Sequence, residues 1–85
     1  VDAEYMRLQV STIEERLRTA DIYLMGAENE LAQAVSDIML IAIGTTAPEL
    51  ESALRIGPLI TSDTTAARHT LSDMRQRIAD YKGKL

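Results

Sequence analysis

The chain has 85 residues, no Cys, Trp or Phe, and a formal net charge of −4. That length bounds it to one small domain, spanning 1–85, with a thin core of its own. It excludes disulfides, thiolate metal sites and Cys–His catalysis, and the acidic balance makes nucleic acid an unlikely main partner. The charge is uneven. Residues 1–51 carry ten Asp/Glu against three Arg, and residues 52–85 carry three Asp against six Lys/Arg. Halves of opposite sign suit two segments that pair with each other.

The N-terminus has no apolar leader region, and the chain begins at Val rather than Met, compatible with processing or excision. Cytoplasmic placement is the default expectation, with export after processing the alternative. No apolar run is long enough for a transmembrane segment.

In chain order, Met6, Val10, Ile13, Leu17, Ala20, Leu24, Ala27, Leu31, Ala34, Ile38 and Ile41 step by 4 and 3 without a slip. This is the two-position seam of a coiled coil and predicts a long helix over about 3–43. Asp2 is its expected N-cap and Gly44 its C′ residue. A competing start near Thr12 exists, because Thr12 and Glu15 fit a capping box and Met6, Leu8 and Val10 alternate like a strand. Next, Thr46, Pro48 and Glu49 open a short helix over about 47–56, closed by Gly57-Pro58. Its apolar residues, among them Leu54 and Ile56, are expected to form a lid over Ile38 to Ile43. A third helix over about 62–83 follows from Ala67, Leu71, Met74, Ile78, Tyr81 and Leu85, with Thr61 or Ser62 as cap and Gly83 near its end.

The expected fold is all-α, an antiparallel helical hairpin that dimerises into a coiled-coil or four-helix-bundle assembly. With Leu31 laid against Met74, small residues face large ones, Glu28 meets Arg75, Asp21 meets Lys82, Glu30 meets Arg77 and Tyr23 meets Lys84. The second arm then reaches only to about residue 20. Met6, Val10, Ile13 and Leu17 are left without an intrachain partner and become the expected interface. Tyr5, Met25 and Met39 join them as residues suited to partner contacts.

Little chemistry is legible. His69 is the lone histidine, four residues before Asp73, and lacks the further ligands a metal site needs. The four glycines are scattered, so no phosphate loop exists. The carboxylates Glu14, Glu28 and Glu30 read as flanking charges. No catalytic, cofactor or metal residue is assigned and no family resemblance is drawn. The expectation is a non-enzymatic oligomerisation or adaptor module, a homodimer first, with a helical protein as the other partner. The alternatives are a subunit of a secretion apparatus or filament, and a small regulator that binds a helical peptide in a groove.

Overall fold

A computed structural model describes residues 2–85. Two long helices, α1 (Ala3–Ala42) and α2 (Pro48–Gly83), lie antiparallel as a hairpin about the short connection 43–47. The rod measures 65 × 15 × 14 Å. Among the described residues there is no strand.

α1 starts where the sequence places it. The Asp2 carboxylate accepts from the Glu4 backbone N–H at 3.0 Å, satisfying one of the N–H groups that a helix start leaves unpaired. The strand-like alternative for residues up to 10 is not adopted, and Thr12 is mid-helix with its hydroxyl donating to the Leu8 carbonyl. Gly44 follows the C-cap Ile43, but no glycine among the described residues takes a left-handed conformation.

The three-helix expectation is corrected to two. The segments 47–56 and 62–83 are parts of one 36-residue helix that runs straight through Gly57 and Pro58. The proposed lid, with Leu54 and Ile56, is therefore the first third of α2. Thr46 does not cap it; the N-cap is Ala47, without a side-chain bond, and Pro48 occupies the first turn, where its missing N–H costs nothing. Thr61 is no cap either, since its hydroxyl bonds back to the Gly57 carbonyl at 3.3 Å.

The physical reason lies in the covered positions. Leu50, Leu54, Gly57, Thr61, Thr64, Arg68, Leu71, Arg75, Ile78, Lys82 and Leu85 are the part-covered side of α2, and they step by 4 and 3 across the Gly-Pro pair. A helix break there would have thrown Leu50 and Leu54 off the contact line. Pro58 removes one backbone hydrogen bond but faces away from α1, where it is exposed. Gly57 faces α1 and has a packing role: a Cβ at that position would lie 2.7 Å from a Val35 methyl. Glycine lets the two helices approach closely here.

The register also differs from the sequence expectation. Glu28 pairs with Arg68 rather than Arg75, Asp21 with Arg68 and Arg75 rather than Lys82, and Lys82 with Glu14. The expected ion pair of Glu30 with Arg77 is not formed, nor is a hydrogen bond of Tyr23 with Lys84. A connection of five residues holds the tops of the two helices level, and α2, longer than expected, reaches almost the whole length of α1. The Arg7 guanidinium accordingly donates to the carbonyl of Leu85.

One continuous α2 makes a testable demand. A proline inside a helix costs about 3 kcal/mol relative to Ala. Pro58→Ala should therefore raise stability by about 1–3 kcal/mol in urea unfolding followed by circular dichroism. A loss of stability would indicate a turn at 57–58 that needs the proline.

Candidate interaction surface

Each helix carries three neighbouring rows of residues, and the hairpin uses two of them. The middle row is Val10, Leu17, Leu24, Leu31 and Ile38 on α1, and Leu50, Gly57, Thr64, Leu71 and Ile78 on α2, continued by Leu85 just past its end. All lie between the helices, yet only Val10 is fully buried, at 4% exposure. On one side of the middle row runs a charged row: Glu14, Asp21 and Glu28 on α1 face Arg68, Arg75 and Lys82 on α2. These six are half-covered and form the interhelical ion pairs. Asp21 accepts from Arg68 Nε at 3.0 Å, and Lys82 Nζ donates to Glu14 at 2.9 Å.

On the other side runs an outer row, apolar at every position. It holds Met6, Ile13, Ala20, Ala27, Ala34 and Ile41 on α1, and Ala53, Ile60, Ala67, Met74 and Tyr81 on α2. Because the helices are antiparallel, the two outer rows lie on the same side of the rod, opposite the ion pairs. They are largely open: Ile13 is 41% exposed, Met74 50% and Tyr81 43%. Together with the edge of the middle row they form one apolar face, two helices wide and most of the rod long.

The seam expected from sequence was the middle row plus the outer row. The hairpin buries the middle row plus the charged row instead, a rotation of each helix by about half a residue step. The cause is electrostatic matching. Ion pairs across the contact satisfy charges that a seam of purely apolar rows would have left on its flank.

This rearranges the predicted interface residues. Val10 is buried inside the hairpin, and Met6 and Leu17 are half-covered, so the premise that 6–17 lack an intrachain partner does not hold. Ile13 stays exposed on the apolar face. Tyr5 is exposed on the outside of α1, and Met25 and Met39 are exposed beside the charged row, away from the apolar face. The sequence reading missed Ala67, Met74 and Tyr81 as surface residues, because it had spent them on the hairpin contact, and it counted Ile60 with the apolar residues of the lid. A second apolar surface is the turn end, where Met39, Leu40, Ile41 and Ile43 on one arm and Ile56, Leu59 and Ile60 on the other are all exposed.

A groove along the charged row is lined by Glu14, Glu15, Arg18, Arg75 and Lys82. His69 is exposed near Asp21, Glu28 and Arg68. Among the described residues, no three His, Asp or Glu stand together as metal ligands. No helix among them is long and apolar enough to cross a membrane.

The Asp21 carboxyl is held below its ordinary pKa chiefly by the hydrogen bond from Arg68; desolvation opposes this, and the charges of Arg68 and Arg75 add smaller lowering contributions. A depressed folded pKa means that the pair's stabilisation is complete above the unfolded value, about 3.9, and is lost as pH falls through the folded value. Asp21→Asn should therefore lower stability at pH 6 to 7, and the gap to the parent chain should close below pH 4. Thermal melts across that range read the effect. The same melts should show Glu28→Arg rescued in part by Arg68→Glu and not by Asp63→Arg, which lies on the far rim.

No family model, curated protein or solved structure matches the chain.

Proposed function

We propose that this chain is a non-enzymatic association module, a helical hairpin that acts through protein–protein contacts by packing its apolar face on a second copy. One observation carries the reading: the outer row is apolar at every position of both helices and lies open on one side. Monomeric proteins rarely expose an apolar strip of this extent unless it is an interaction site. Full burial of an Ile or Met side chain contributes about 1.5–3 kcal/mol relative to full exposure. Ile13, Ile41, Ile60, Met74 and Tyr81 are each about half exposed in the hairpin, so roughly half of that gain is left for a partner to supply. Helices that present three adjacent positions per heptad to apolar neighbours are the building blocks of four-helix bundles rather than of lone pairs.

A second reading, a subunit of a filament or secretion apparatus, is favoured by the apolar turn end. A rod with a sticky side and a sticky tip has the parts for lateral and end-on growth.

Sedimentation equilibrium at micromolar concentration should give twice the 9.4 kDa chain mass and stay there as concentration rises. Mass that keeps growing favours the filament, and a helical monomer rejects both readings. Ala27→Glu, in the middle of the face, should weaken self-association at least about a hundredfold, because the charge would be buried unpaired. Ala32→Glu, beside the charged row, should change it less than about threefold.

A further inference from the structure

We infer that the second copy lies antiparallel on the apolar face, turn end over open end, about a two-fold axis at the level of Tyr23 and Thr70. The inference rests on the association reading above and adds the orientation.

The observation is the charge along the two rims of the apolar face. The rim of α1 runs Arg16, Tyr23, Glu30, Asp37, and the rim of α2 runs Asp63, Thr70, Arg77, Lys84, all exposed. The Val35–Gly57 contact sets the levels of the two helices. Arg16 is then level with Arg77, and Glu30 with Asp63. Between residues 16 and 37 on one rim and 63 and 84 on the other, both rims are therefore basic toward the open end of the hairpin and acidic toward the turn; Asp2, farther along the α1 row, is engaged in capping the helix. Among the described residues, Arg16, Glu30, Asp63 and Arg77 take part in no intrachain ion pair.

Two face-to-face arrangements have two-fold symmetry. In the parallel one, α1 lies over α2 of the second copy. Arg16 then meets Arg77 of the second copy and Glu30 meets its Asp63, so like charges oppose along both edges. In the antiparallel one, α1 lies over α1 and α2 over α2. An axis at Tyr23 and Thr70 sets Arg16 against Glu30 of the second copy and, on the other edge, Asp63 against its Arg77. Each pair occurs twice. A single axis serves both edges because Tyr23 and Thr70 stand at one level of the rod. The same axis brings Ala20 against Ala27 of the second copy, small residues that let the two α1 helices approach closely. Charge complementarity of this kind selects orientation more than it supplies affinity.

The chain lacks cysteine, which gives a clean test. Tyr23→Cys at the dimer concentration should join two chains when treated with a short bismaleimide. An equimolar mixture of Tyr23→Cys and Thr70→Cys should give no mixed 23–70 product. In sedimentation, Arg16→Glu should weaken the dimer about three- to tenfold, and adding Glu30→Arg should recover most of the loss, with the difference shrinking in high salt. The opposite set overturns the inference: a dimer by mass that crosslinks only as 23–70, or one that Arg16→Glu strengthens. A dimer giving neither product also overturns it, since both rims would then lie outside the contact. A monomer in every condition removes the association reading itself, and the orientation with it.

Discussion

The ion pairs between Glu14, Asp21 and Glu28 on one helix and Arg68, Arg75 and Lys82 on the other decide which side of each helix is turned inward. Pairs with this much solvent access contribute little to stability. Their effect is angular. By drawing the charged rows together they rotate both helices away from the fully apolar seam. The middle row is then shared between two contacts, and the outer row is given wholly to the outside. Everything distinctive about the surface follows from that rotation.

The helical character of the chain was legible in its sequence because the 4-3 spacing persists over so many turns. The Asp2 cap, the connection after Ile43 and the end at Gly83 were legible for the same kind of local reason. Gly57-Pro58 was misread because both residues are strong stop signals when judged locally. What overrode them was tertiary. Gly57 faces Val35, Pro58 faces solvent, and the continuing heptad line gives Leu50 and Leu54 a place against α1. The local rules for a capping box at Thr46 and for an N-cap at Thr61 were satisfied in pattern only.

The apolar face was half legible. The row from Ile13 to Ile41 was found from spacing, and so was the need for something to cover part of the chain. Of its counterpart on α2, Ala67, Met74 and Tyr81 were assigned to the wrong contact, because periodicity cannot say which of two adjacent rows the partner helix will take. Chemistry in the charged row made the choice, and the signal was present: each helix carries its opposite charges on the same flank of the apolar seam.

The charged rows repeat every seven residues on both helices. Sliding one helix past the other by a heptad, about 10.5 Å of translation, would still pair Glu28 with Arg75 and Asp21 with Lys82, but would leave Glu14 and Arg68 without an opposite charge across the contact. Arg68 already touches acids one heptad apart, Asp21 and Glu28. The hairpin thus has successive resting positions, like teeth of a rack, and the charges favour the present one by little, because pairs this exposed each contribute little to stability. The five-residue connection singles it out, by tying the helix ends together, and the Gly57 notch under Val35 helps to seat it. Connection length therefore acts as the ruler of this molecule. It fixes the level of Arg16 against Arg77 and of Glu30 against Asp63, and through them the sign of charge at each end of the rod.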